Sequence, residues 1–75
     1  MKFQSYDRVT IKSPKSKVRP LTGLDAAFEG QKGTIVGFEQ GKPVMFRVKL
    51  DNPIDILGVG LVKDDLWSGE YLKRG

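Results

Sequence analysis

The sequence predicts a small all-β domain of five short strands, with a long first loop and a short 3-10 turn before the last strand. Stretches of alternating apolar and polar residues indicate the strands, and glycine and proline between them indicate the turns. The chain has 75 residues, which allows one core and no second lobe, so residues 1–75 are interpreted as a single domain.

The first predicted strand is Arg8–Lys12, in which Val9 and Ile11 alternate with polar neighbours. Pro14 ends it, because proline cannot donate a hydrogen bond to a strand ladder. A long connection follows, Ser13–Glu29, and connections of this length in short chains are often binding loops. It is predicted to contain one helical turn whose apolar residues attach the loop to the core: Leu24, Ala27 and Phe28.

A glycine turn, Gly30–Gly33, is predicted to lead into the second strand, Thr34–Phe38. Such a turn needs a positive φ at one glycine and close backbone approach at another. Pro43 suits the start of the third strand, which shows the clearest alternation in the chain. Its predicted inward residues are Val44, Phe46, Val48 and Leu50.

The last third of the chain contains three further predicted elements. A fourth strand is expected after the Asp51–Pro53 break, and its two glycines allow a bulge or a sharp bend. One turn of 3-10 helix and a short final strand then complete the domain. These elements are Ile54–Val62, Lys63–Leu66 and Glu70–Lys73, respectively.

Four segments carry a resemblance to a known fold group: Asp7–Lys12, Gly30–Val36, Pro43–Leu50 and Asp64–Leu66. Their arrangement resembles the SH3-like barrel, and within that group it is similar to KOW-type domains and to the small barrel-shaped docking subunits of photosystem I. The resemblance implies a small barrel with one of two roles. One is RNA binding, as in ribosomal and transcription proteins, and the other is docking within photosynthetic or electron-transfer complexes.

The composition excludes several kinds of chemistry. The chain has no Cys and no His, which removes thiolates, disulfides, zinc fingers and the usual general base near neutral pH. No cofactor and no metal site are predicted. The first residues lack a signal-peptide pattern, and no apolar run approaches the length of a membrane span. We therefore expect a cytoplasmic protein.

The excess positive charge lies in the first half of the chain. The net charge is +4, and residues 1–37 contain seven Lys or Arg against three acidic residues, whereas residues 38–75 contain six of each. This distribution favours an acidic partner, whether a protein, a nucleic acid or a membrane surface. The alternative is that the basic run Lys12–Arg19 is a solvated loop that keeps the protein soluble. The predicted binding residues are Arg8, Lys12, Lys15, Lys17, Arg19 and Lys32.

The predicted fourth strand has apolar residues on both faces. A strand of a lone small barrel should have a polar face, so this pattern indicates cover by a protein partner or by a second copy of the chain. The alternative is a bulge that turns all of these residues inward. The predicted apolar interface consists of Ile56, Leu57, Val59 and Leu61.

Catalysis is not expected. The adjacent acids Asp64 and Asp65 suit a solvent-facing turn better than an acid–base pair. Trp67 and Tyr71 are predicted to pack in or beside the core rather than to line a peptide groove. The segment Gly33–Phe38 faintly resembles the plasmid-type dihydrofolate reductase, a short SH3-like barrel, but the substrate-lining segment of that enzyme has no counterpart here.

The sequence thus favours a non-catalytic binding module, a small accessory or docking subunit that binds an acidic protein partner. The first alternative is a KOW-like protein that binds RNA or DNA through the basic residues. The second alternative is a homo-oligomer of SH3-like barrels, remotely similar to the plasmid-type reductase.

Overall fold

A computed structural model describes residues 3–13 and 23–75, and these form one five-stranded antiparallel sheet in the order β4-β3-β2-β1-β5. The strands are β1 (Arg8–Ile11), β2 (Lys32–Glu39), β3 (Met45–Ile56), β4 (Gly60–Ser68) and β5 (Leu72–Arg74). One 3-10 helix, Gly23–Phe28, lies between β1 and β2, and a second, Gly69–Tyr71, precedes β5. The all-β class, the long first connection and the 3-10 turn before the last strand are confirmed. Among the described residues no ladder joins β4 to β5, so the predicted barrel is not closed.

The core lies on one face of the central strands. Val9, Ile11, Ile35 and Val48 are at most 1% exposed, and their polar neighbours in sequence point to the opposite face. The rest of the core is formed by Phe3, Phe28, Phe46, Leu50, Ile56, Trp67 and Leu72.

The loop helix attaches to the core through a single apolar side chain. Phe28 is 3% exposed, as predicted, whereas Leu24 is 59% exposed and Ala27 is also exposed, so the predicted inward role is wrong for these two. The Phe28 ring packs edge-on against Trp67, with ring centroids 5.4 Å apart. The Tyr71 ring also packs against Trp67, with ring centroids 5.8 Å apart. Trp67 is a core residue and Tyr71 packs against the core, which confirms the predicted packing of both aromatic residues in or beside the core.

The predicted fourth strand is wrong, because residues 54–62 form a hairpin. Gly58 and Gly60 have φ of +85° and +105°, and side chains with a Cβ rarely adopt this backbone conformation. These two glycines place a turn after Ile56, closed by a hydrogen bond from the Val59 N–H to the Ile56 carbonyl. The chain reverses here, and β4 returns along β3.

The predicted break at Asp51–Pro53 is also wrong, since β3 runs through it. The register between β3 and β4 shifts between Lys49 and Ile54. Pro53 lies in this irregular stretch, so its lack of an N–H does not interrupt the hydrogen bonds of the ladder. Residues 63–66 lie in the middle of β4 instead of forming the predicted 3-10 turn, and the helix before β5 begins at Gly69, six residues later than predicted. The pattern of apolar and polar residues alone does not distinguish a charged edge strand, such as this part of β4, from a polar turn.

The two glycines before and within β2 have the two predicted roles. Gly30 has a φ of +83° in the turn. Gly33 lies opposite Leu50 in the β2–β3 ladder, where an added Cβ would stand 2.5 Å from the Lys49 carbonyl oxygen and 2.6 Å from Val48 Cγ1. The close approach of β2 to β3 therefore requires glycine at position 33.

Gly33→Ala should destabilise the fold by about 1–3 kcal/mol, because the new methyl group overlaps backbone atoms that cannot move without distorting the ladder. Gly37→Ala is the matched control, since a Cβ at that position of the same strand meets nothing within 4 Å; we expect a change of less than about 1 kcal/mol. Urea unfolding measures both variants. Equal free energies of unfolding for the two variants would contradict the close approach.

Candidate functional site

Three lysines surround Thr10 on the face of the sheet opposite the core. Thr10 pairs with Lys32 of β2 on one side and with Lys73 of β5 on the other. Lys12 follows two residues after Thr10, and its N–H donates to the Tyr71 carbonyl, which continues the β1–β5 ladder. Residues two apart on a strand share a face, and cross-strand neighbours lie about 5 Å apart. Lys12, Lys32 and Lys73 are called the lysine cluster below.

The lysine cluster is not neutralised by ion pairs within the described residues. Its nearest acidic neighbours are at its margins. Glu29 lines a cleft together with Lys12 and Lys73, and Asp51 lies close enough to Lys32 to interact with it electrostatically. The cluster therefore presents a local excess of positive charge.

Two shallow clefts flank the cluster, and Lys12 and Lys73 line both of them. The larger, of about 570 Å³, is lined by Thr10, Ile11, Lys12, Ser13, Glu29, Gly30 and Lys73. The smaller, of about 370 Å³, is lined by Phe3, Lys12, Leu72, Lys73 and Arg74. Ser13 donates to Glu29 across the larger cleft at 3.4 Å. Both clefts are open enough to admit side chains of another molecule.

Arg8, which the sequence placed among the binding residues, is engaged within the fold. Its guanidinium donates to both carboxylate oxygens of Asp51 and, at 2.9 Å, to the Thr34 hydroxyl. The hydrogen bond from Arg8 lowers the pKa of Asp51 against the opposing effect of burial, and the charges of Arg8 and Lys32 lower it further. The same contact raises the pKa of Arg8. Arg8 thus contributes less unpaired charge than the lysines beside it.

The remaining predicted site residues have different environments. Lys15, Lys17 and Arg19 lie outside the described residues. Ile56 is 8% exposed and belongs to the core, so it is not part of an exposed surface. The other three predicted interface residues form the tip of the β3–β4 hairpin with exposures of 98%, 60% and 59%, in the order Leu57, Val59 and Leu61.

Acidic groups of the described residues form no centre of three or more that could hold a metal ion. Asp64 accepts a hydrogen bond from Arg47 at 2.8 Å, and Asp65 accepts one from the Leu66 N–H at 2.8 Å. The two adjacent carboxylates therefore have separate partners.

Across residues 3–13 and 23–75 the structure contains no helix that is long and apolar enough to cross a membrane.

The sequence interpretation missed Lys73, which joins the cluster from the far end of the chain. The predicted last strand, Glu70–Lys73, overlaps β5 only at Leu72 and Lys73, since Glu70 and Tyr71 lie in the 3-10 helix. The alternation of apolar and polar residues does not reveal which strand will pair with β5. Comparison with known proteins adds no assignment, because no protein-family model, no curated protein and no solved structure matches this chain.

Asp51→Asn should lower stability at neutral pH and have less effect in acid. The pKa of Asp51 is lower in the folded chain than in the unfolded chain, so its stabilising contribution is complete above about pH 4 and is lost as the pH falls through the folded-state pKa. Unfolding midpoints of the native chain and the variant should differ at pH near 7 and converge near pH 2.

The control for this measurement is Asp55→Asn, because Asp55 is exposed and has no ion pair among the described residues. A midpoint difference for Asp51→Asn that persists unchanged into acid would show that the ion pair with Arg8 does not contribute.

Proposed function

We propose that this chain is a non-catalytic binding module that docks onto an acidic protein partner through the lysine cluster, as a small accessory subunit in the cytoplasm. The observation that carries the proposal is the position of three lysines around Thr10 with no ion pair among the described residues. As part of the proposal we assign the sheet to the SH3-like barrel group. The strand order and the 3-10 helix before β5 support this assignment.

A partner rich in carboxylates suits the cluster better than a nucleic acid does. Surfaces that bind single-stranded nucleic acid usually combine cations with exposed aromatic rings on which bases stack. Of the described residues lining the two clefts beside Lys12 and Lys73, only Phe3 is aromatic, and it is 3% exposed. Because the clefts lined by Lys12 and Lys73 contain no exposed ring of their own, contacts with acidic side chains are favoured there, and such contacts steer association and depend on salt.

The double variant Lys32→Glu/Lys73→Glu should weaken binding to a glutamate-rich peptide about tenfold, because two attractive contacts become repulsive. The matched control is Lys42→Glu/Lys63→Glu, which changes the net charge equally at exposed lysines outside the cluster; it should change affinity about twofold at most. Fluorescence anisotropy with a labelled peptide at low ionic strength measures all three proteins.

Two results would overturn this proposal. Equal losses in the two double variants would mean that net charge, rather than the cluster, determines binding. Tighter binding of an oligothymidylate than of a peptide with the same number of charges, with a steep salt dependence, would favour the KOW-like alternative.

Self-association through the β3–β4 hairpin is the second candidate, supported by the exposed apolar tip. Leu57 is 98% exposed at the turn, and Leu61 is 59% exposed on the arm. Such side chains suit a hydrophobic contact with a second copy of the chain.

Leu57→Lys/Leu61→Lys should convert any oligomer to monomer, because charged residues at the tip oppose burial of the contact. The free energy of unfolding of the monomer should change by less than about 0.5 kcal/mol, since both side chains are exposed. Light scattering after size exclusion, over a range of protein concentrations, measures the mass. A native chain that is already monomeric at every concentration would exclude this candidate.

A further inference from the structure

An apolar cleft shares the lining residue Phe3 with the smaller cleft beside the lysine cluster. It has a volume of about 270 Å³ and is lined by Phe3, Gln4, Ser5, Ile35, Phe38 and Phe46. Phe3, Ile35 and Phe46 are core residues, at most 5% exposed, whereas Phe38 is 44% exposed. None of the described residues lining this cleft is charged, and it is called the aromatic cleft below. Its composition suits an uncharged aromatic or aliphatic group.

One wall of the aromatic cleft is held in place by its own hydrogen bonds. The Asp7 N–H donates to the Gln4 carbonyl at 3.1 Å, and the Gln4 N–H donates to Asp7 Oδ2 at 3.0 Å. The Tyr6 N–H donates to the Ile35 carbonyl, and the Ile35 N–H donates to the Asp7 carbonyl at 2.9 Å. Tyr6 has a φ of +71°, which is uncommon for a residue other than glycine. These bonds attach the turn to β2, so the wall is formed before a ligand arrives.

Phe3 lines both the aromatic cleft and a cleft of opposite character. The second cleft also contains Lys12, Lys73 and Arg74, and no carboxylate of the described residues lines it. The Arg74 guanidinium lies over the Phe3 ring, 5.8 Å from the ring centroid, while also pairing with Asp7 at 3.5 Å. An uncharged aromatic site and a cationic site therefore share one lining residue, Phe3.

We infer that the partner segment is an extended acidic peptide that carries one aromatic or aliphatic anchor. The anchor occupies the aromatic cleft against Phe38, and a carboxylate beside the anchor lies over Phe3 toward Lys12 and Lys73. The inference rests on the proposed function and deepens it, since it specifies which acidic segments bind. Carboxylate contacts alone discriminate poorly among acidic chains, whereas burial of an apolar anchor adds selectivity and resists salt.

Two labelled peptides of equal charge test the inference: a glutamate-rich peptide with a central Phe, and the same peptide with Ser at that position. The Phe peptide should bind the native chain about tenfold more tightly, because the anchor removes apolar surface from water. Phe38→Thr should reduce the affinity for the Phe peptide to that for the Ser peptide. It should leave the affinity for the Ser peptide unchanged.

Val36→Thr is the matched control, since Val36 is also 44% exposed on the same strand and does not line the cleft. It should preserve the preference for the Phe peptide. The unfolding midpoints of both variants show whether they fold. The comparison of the two peptides on the native chain tests the anchor even if a variant does not fold.

Equal affinity of the native chain for the two peptides would contradict the inference that an apolar anchor binds in the aromatic cleft. The proposed function would still hold if binding depends on Lys32 and Lys73. Failure of both peptides to bind would overturn the proposed function as well. If an uncharged peptide with the same Phe binds as tightly as the acidic one, the carboxylate contact is wrong.

Discussion

The period-two alternation of side chains along the central strands is the constraint on which the rest of this structure depends. Val9, Ile11, Ile35 and Val48 are almost completely buried, and slipping any of these strands by one residue would expose its apolar side chains. Once these four side chains face inward, the residues between them must face outward. The polar face that carries Thr10 and the lysines is therefore a direct consequence of how the core packs.

The charges on that outer face differ in how far they are neutralised. Arg8 has a carboxylate and a hydroxyl as partners, so much of its charge is compensated within the fold. Lys12, Lys32 and Lys73 form no ion pair among the described residues, although Lys32 lies close enough to Asp51 to interact with it electrostatically. The same face thus contains an ion pair that contributes to stability and a cluster that can attract an acidic partner. Phe3 lines both the aromatic cleft and the cleft that contains Lys12 and Lys73.

The fold was largely predictable wherever alternation and turn residues agreed. The first three strands, the inward role of Phe28 and the two roles of the glycines Gly30 and Gly33 all follow from local patterns. The region after Leu50 was not predictable, because Pro53 resembles a strand end unless a register shift accommodates it. Gly58 and Gly60 are equally compatible with a bulge in one strand and with a turn between two, and only the backbone angles distinguish these cases.

The sequence by itself determined the all-β class, the inward residues of the central strands and the surplus of positive charge, because these depend on composition and on neighbours along the chain. Only the tertiary structure decided which charges meet. The pairing of Arg8 with Asp51 and the approach of Lys73 to Thr10 join residues far apart in the sequence. Phe3 likewise lines two clefts whose other residues come from distant parts of the chain. Such contacts depend on strand order and register, and the alternation of a single strand specifies its faces but not its neighbours.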